Sequence, residues 1–236
     1  AVVATDEIPG EMSESWRPAN VDADTIAFLQ YTSGSTGSPR GVIVKHRSLL
    51  HNLAQLDRLD HEGTGGVSWL PPYHDMGLIG GALLPAYRGR PVVLMSPLSF
   101  VQRPLRWLDA ISRYGVSSSG SPNFGYELCV KKITPEECDG LDLSRWAMAF
   151  NGSEPVRHDT QERFYEAFAP FGFRREAFYP CDGLAEATLF VTGGCRASLP
   201  RIASFDAAAL EENRAVAVDP KVTGTRELVG NGQCAE

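Results

Sequence analysis

Short β-forming runs alternate with stretches of helical spacing along most of the chain, and this alternation constrains the fold more than any other feature. Residues 25–31, 41–44, 67–70, 91–95, 116–119, 146–150 and 177–179 read as strands. Between them, residues 46–59 put Leu49, Leu50, Leu53 and Leu56 at helical spacing. Pro104 suits the first turn of a helix that Leu105, Leu108 and Ile111 continue. Pro122 opens a helix that runs through Ile133, residues 158–169 also read as a helix, and another is expected after Asp75. The strand at 25–31 is expected to be buried, and Trp107, Tyr114, Trp146, Phe164 and Phe168 are expected in the core. Strand and helix in turn imply an α/β domain with largely parallel pairing. Ligands of such sheets sit in the loops beyond the carboxyl ends of the strands. Those loops are residues 32–40, 71–77, 119–123, 151–155 and 180–186.

Composition excludes several functions. The 236 residues carry a net charge of -7, which argues against a general nucleic-acid binder and gives no polybasic membrane patch. The longest uncharged apolar stretch, residues 76–87, is broken by glycines and a proline and is too short for a transmembrane segment. Five cysteines, odd in number and without C-x-x-C spacing, favour a reduced, cytoplasmic setting over a disulfide framework or zinc site. Residues 1–24 hold Asp6, Glu7, Glu11, Glu14, Asp22 and Asp24 against Arg17 alone, and are expected to form an acidic lead-in or linker. Because Ala1 is not a methionine and no signal peptide follows, the chain is expected to be a cut-out piece or a processed chain.

The segment from Tyr31 to Gly41 is the strongest local signal. Thr32, Ser33, Ser35, Thr36 and Ser38 supply hydroxyls, and Gly34 and Gly37 let backbone N–H groups turn toward a ligand. Arg40 adds a permanent positive charge. Together they suit a polyphosphate cradle. It is not the common P-loop, because Pro39 stands where that motif needs its lysine. A Ser/Gly linker is the bland alternative, and the apolar strands on both sides argue against it.

Residues 31–42 resemble the phosphate loop of the acyl-adenylate-forming superfamily, with Arg40 in place of the usual lysine. Residues 68–78 (SWLPPYHDMGL), 100–108 (FVQRPLRWL), 121–124 (SPNF), 150–156 (FNGSEPV) and 178–188 (FYPCDGLAEAT) resemble its fatty-acyl-AMP ligase branch. The resemblance covers roughly residues 25–195 in order. It implies an α/β fold, part of the large N-terminal domain of an adenylate-forming enzyme, incomplete at both ends. Its sheets would be mixed and largely parallel, flanked by helices. Residues 25–195 would form the ATP- and acyl-binding core, and residues 196–236 a family-type insertion and truncated end.

The implied reaction is ATP-dependent activation of a fatty acid to acyl-AMP with release of pyrophosphate. The acyl group then passes to the phosphopantetheine of an acyl carrier protein or polyketide synthase. By similarity, Thr32, Ser33, Gly34, Ser35, Thr36, Gly37 and Arg40 hold the ATP phosphates. Asn151, Gly152, Ser153, Glu154, Asp182 and Gly183 bind adenine or AMP, and Glu186 takes Mg2+. His74, Asp75, Met76, Gly77 and Asn123 border the acyl substrate. Asp75 equally suits a helix N-cap, and residues 151–153 a plain strand-to-helix turn. Gly77, Gly80 and Gly81 either leave room for an acyl chain or permit close packing.

Two departures qualify the resemblance. Asp182 stands where the family commonly has an adenine-stacking tyrosine. The catalytic lysine belongs to a C-terminal domain outside this sequence, so no residue here is assigned to catalysis and the segment alone is expected to be inactive. A truncated or degenerate domain without catalysis, and an acyl-CoA synthetase, are the alternatives.

Overall fold

The computed structural model describes residues 5–32, 40–60 and 63–234. Its centre is a seven-stranded sheet in the order β11-β8-β7-β6-β5-β3-β4. The strands are β3 (Gly66–Ser68), β4 (Val92–Leu94), β5 (Ser118–Gly120), β6 (Met148–Asn151), β7 (Phe178–Gly183), β8 (Phe190–Gly193) and β11 (Gln233–Cys234). From β4 through β7 the pairing is parallel, as the alternation predicts, and β8 and β11 extend the sheet antiparallel. The fold class expected from the sequence is therefore the one observed.

Parallel strands need crossovers, and helices supply them. These are α3 (Pro97–Gln102), α4 (Leu105–Tyr114), α5 (Asn123–Lys132) and α6 (His158–Phe168). Their apolar faces meet a continuous aromatic core in which Trp107, Trp146, Tyr126 and Phe164 are fully buried. Two of its indole N–H groups are satisfied: Trp107 donates to Ser119 Oγ at 2.7 Å and Trp146 to the Met148 carbonyl at 3.0 Å. Tyr114 departs from the expected core set. It ends α4 with 56% exposure, its ring 5.7 Å from the Arg113 guanidinium. Gly115 follows in the left-handed region (φ 57°) and stops the helix.

The other side of the sheet is covered by α1 (His46–Leu59) and by a π-helix, Met76–Leu83, that runs into the short α2 (Leu84–Arg88). The helix expected after Asp75 is thus present, with a wide first part. Two smaller hairpins complete the structure. β1 (Ile26–Thr32) pairs antiparallel with β2 (Arg40–Lys45), and β9 (Ile202–Asp206) pairs antiparallel with β10 (Thr225–Val229) around α7 (Ala207–Glu211).

β1 corrects one expectation. The strand forms, but among its residues only Gln30 is buried, while Ile26, Leu29 and Tyr31 are exposed. Apolar residues on both faces of the alternation suggested burial. In the described residues β1 has one strand neighbour, β2, and Ile26, Leu29 and Tyr31 meet solvent while Ala27 and Phe28 are half-buried. The polar Gln30 turns inward and donates from Nε2 to the Tyr73 carbonyl at 3.1 Å. Residues 6–24 are exposed throughout, and Asp24 pairs with Lys45 and Arg47. Among the described residues, no helix is long and apolar enough to cross a membrane.

Candidate active site

A cavity of about 530 Å3 lies between the sheet, the β1–β2 hairpin, α1 and the π-helix. Residues just past the carboxyl ends of β6 and β7 form part of its rim, where a parallel sheet leaves backbone groups free for ligands. Part of the lining is apolar: Leu56 and Leu59 from α1 face Met148, Phe150, Tyr179 and Phe190 from the sheet. Strand periodicity explains this division. Along β7, Phe178 joins the aromatic core, and its neighbour Tyr179 turns to the cavity side.

The rim gathers residues far apart in sequence. Thr32 and Arg40 close the hairpin end, His74, Asp75 and Met76 enter the π-helix, and Gly152 and Ser153 follow β6. Asp182 and Gly183 end β7, and Glu186 follows it. All ten were singled out from sequence, and all ten line the one cavity. Ser33, Gly34, Ser35, Thr36 and Gly37 lie outside the described residues.

Local physics fixes several of these positions. Asp75 caps the π-helix, its Oδ1 accepting the Met76 N–H at 2.7 Å, and the same carboxylate lies 2.7 Å from His74 Nδ1. Capping and lining the cavity are therefore compatible roles. The hydrogen bond to Asp75 raises the His74 pKa above the usual imidazole value, favouring the protonated form at the cavity mouth. Gly152 has to be glycine, because a Cβ there would stand 2.6 Å from the Cys181 carbonyl oxygen. Ser153 next to it holds a left-handed backbone (φ 70°), a conformation a non-glycine residue adopts at a cost. Asp182 is exposed and accepts the Gly183 N–H on Oδ1 at 2.9 Å.

Four predicted residues stand outside the cavity lining. Glu154 is exposed. Gly77 is packed against the chain at Pro71, whose carbonyl oxygen would lie 2.1 Å from an added Cβ. Asn123 and Asn151 form a buried bracket beneath the rim. Asn151 Nδ2 donates to Asn123 Oδ1 at 3.1 Å, and the same oxygen accepts the Arg157 N–H at 3.1 Å. Asn123 Nδ2 donates to the Pro155 carbonyl at 2.9 Å. This bracket shapes the turn that carries Gly152 and Ser153.

The structure adds residues with no evident signal in the sequence. Asp60 and Arg88 lie in the cavity wall, and Asn52 anchors α1 to β8. Cys181 also lines the cavity, but burial pushes its thiol up to about 12, so it stays protonated and is a poor nucleophile. Among the described residues, no three His, Cys, Asp or Glu side chains gather closely enough to hold a metal by themselves.

Fold and site together define an α/β unit with charged and polar residues at the strand ends beside apolar ones in a single cavity. The chain belongs to the AMP-binding enzyme family, whose model matches residues 2–222. It is similar to JamA of Moorena producens, a medium-chain-fatty-acid–[acyl-carrier-protein] ligase, with 45% identity over 92% of this chain and 37% of JamA. It is 40% identical to a 4-hydroxyphenylalkanoate adenylyltransferase of Mycobacterium tuberculosis, over 87% of this chain and 34% of that protein. It is also similar in structure to a fatty acyl-adenylate ligase from Legionella pneumophila solved with acyl adenylate and pyrophosphate. That match has a TM-score of 0.94 and 49% identity, covering 99% of this chain and 41% of the other. The chain spans about a third of the length of the curated relatives it matches.

Proposed function

We propose that this chain is the ATP- and acyl-binding core of a fatty-acyl-AMP ligase. One observation carries the reading: a single cavity joins a polar rim at the strand ends to an apolar interior. ATP and a fatty acid need those two environments side by side. The carboxylate attacks the α-phosphorus, a new acyl–oxygen–phosphorus bond forms, the bond to the β-phosphate oxygen breaks, and pyrophosphate leaves. Such transfers depend on positioning and charge neutralisation more than on covalent help from the protein. Arg40 and the hydroxyls from Thr32 onward neutralise the departing phosphates. Gly152, Ser153, Asp182 and Gly183 border the adenosine. A protonated His74 at the mouth donates to the carboxylate or the α-phosphate.

Glu186 fits a magnesium ion in the way the metal is usually held, by one carboxylate together with substrate phosphates. When bound there, Mg2+ would offset the charge of the phosphates. The acyl group of acyl-AMP then passes to the phosphopantetheine thiol of a carrier protein in the cytoplasm, a thioester forming as the acyl–oxygen bond to AMP breaks and AMP leaves. Similarity to a carrier-protein ligase supports that acceptor.

Titration of the chain with a long-chain acyl-sulfamoyl adenosine, a stable mimic of acyl-AMP, tests the reading by calorimetry. Binding of roughly micromolar strength or tighter is expected, weakened about tenfold or more in Arg40→Ala when ATP replaces the mimic. A folded chain that binds neither compound would overturn the proposal.

A further inference from the structure

The resemblance puts Asn123 beside the acyl substrate, and the structure puts it elsewhere. It is 3% exposed, stands outside the cavity lining and begins α5, beneath the segment that carries Gly152 and Ser153. Its amide makes three hydrogen bonds to that segment. Oδ1 accepts from Asn151 Nδ2 and from the Arg157 N–H, both at 3.1 Å, and Nδ2 donates to the Pro155 carbonyl at 2.9 Å. The two backbone partners settle which end of the amide is which, because one only donates and the other only accepts. A single side chain thus grips both ends of the rim residues 152–154.

The surroundings of Asn123 make that grip rigid. The Phe150 carbonyl accepts the Ser121 N–H at 3.0 Å and the Tyr126 hydroxyl at 2.9 Å. Tyr126 is fully buried in the aromatic core. One turn along α5, Glu127 Oε1 accepts from Thr160 Oγ1 at 2.7 Å and from Arg157 Nη1 at 3.2 Å. The start of α5 is therefore fixed to the core, and residues 150–157 are fixed to α5. The segment needs such a hold. Ser153 keeps a left-handed backbone (φ 70°), which a non-glycine residue leaves unless its surroundings over-determine it. Its own hydroxyl donates to the Met76 sulfur, a weak acceptor, at 3.6 Å.

We propose that Asn123 is a positioning residue for the nucleotide: without touching the ligand, it keeps Gly152 and Ser153 in the geometry that receives adenine. The proposal rests on the adenosine-binding role given to those two residues above. A turn that is already formed costs the ligand no ordering, whereas one that visits the competent geometry part of the time weakens the apparent affinity by that fraction. Loss of the bracket therefore acts on the adenine contact. The apolar wall, built from α1 and the sheet, is left in place.

Two probes test this on the chain as it stands: a long-chain acyl-sulfamoyl adenosine, and the acyl-sulfamoyl ribose that lacks the adenine. The ratio of their affinities, read by calorimetry, reports the adenine contact alone. Asn123→Asp keeps both accepting bonds and suits the first turn of a helix, while the oxygen in place of Nδ2 repels the Pro155 carbonyl. It is expected to lower the ratio about tenfold, through the adenosine compound, with the ribose compound unchanged. Asn123→Ala, which loses all three bonds, is expected to lower it at least as far. A ratio equal to that of the unaltered chain, whether both affinities hold or both fall alike, would overturn the inference and leave the acyl-adenylate reading intact. If the unaltered chain binds neither probe, or binds the two alike, the adenosine reading fails and this inference fails with it.

Discussion

At the scale of single residues, Asp182 has the least expected chemistry at the rim. Its carboxylate is exposed and engaged with the adjoining Gly183 N–H, so it supplies no flat surface for a base. It also brings negative charge to a cavity whose proposed ligand is a polyphosphate. An aromatic ring would do the opposite, since stacking on a base contributes about 1–3 kcal/mol. Asp182→Tyr is therefore expected to tighten ATP binding about tenfold by calorimetry; unchanged or weaker affinity would mean that the adenine does not lie over this position. Asp182 was legible in the sequence because its neighbours form a local pattern, as do Thr32 with Arg40, His74 with Asp75, and Gly152 with Ser153. Asp60 and Arg88 were not legible. Each is an ordinary charged residue within its own segment, and their meaning comes from burial against groups brought together only by folding.

At the scale of elements, the π-helix is where the sequence left a question that the structure answers. Its glycines divide into two kinds. A Cβ on Gly77 would collide with the Pro71 carbonyl, and one on Gly81 would come within 2.6 Å of Ser68 Oγ, so these two let the helix sit directly on the chain beneath it. Gly80 lines the cavity, and an added Cβ there would meet nothing nearer than Leu189 Cδ2 at 3.8 Å. Both alternatives, room for a ligand and close packing, hold at different positions of one helix. Urea unfolding should separate them. Gly77→Ala meets rigid backbone and is expected to destabilise by about 1–3 kcal/mol, the usual cost of overpacking. Gly80→Ala is expected to be neutral or stabilising by up to about 1 kcal/mol, because alanine loses less entropy in a helix. Equal midpoints for the two variants would refute the division. The wider helical turn left no trace in the sequence, since apolar spacing over eight residues does not distinguish it from an α-helix. The exposure of β1 was equally hidden: residue pattern reports which side chains are apolar, and only the neighbouring elements decide whether they are covered.

At the scale of the whole molecule, the cavity exists because α1 is held against the far part of the sheet, and Asn52 is one of the side chains that make that connection. Asn52 is 4% exposed on the inner face of α1. Its Nδ2 donates to the Phe190 carbonyl at 2.9 Å, and its Oδ1 accepts the Phe190 N–H at 3.0 Å. The amide thus satisfies both backbone groups of Phe190, as a neighbouring strand would. Leu56 and Leu59, further along the same helix, wall the cavity opposite Met148 and Tyr179. Loss of the amide leaves two buried backbone groups without partners and releases the helix that carries this wall. Asn52→Ala is expected to cost about 2–4 kcal/mol, since an unsatisfied buried group costs about 1–3 kcal/mol. The urea midpoint should fall with the slope unchanged, the sign of lost stability in an otherwise intact fold. Binding of a long-chain acyl-adenylate mimic should weaken in the same variant, and more than binding of ATP, because α1 contacts the apolar interior and not the rim. If ATP and the mimic weaken equally, α1 does not set the shape of the acyl end. If the urea midpoint does not move, the bracket on Phe190 adds nothing to stability.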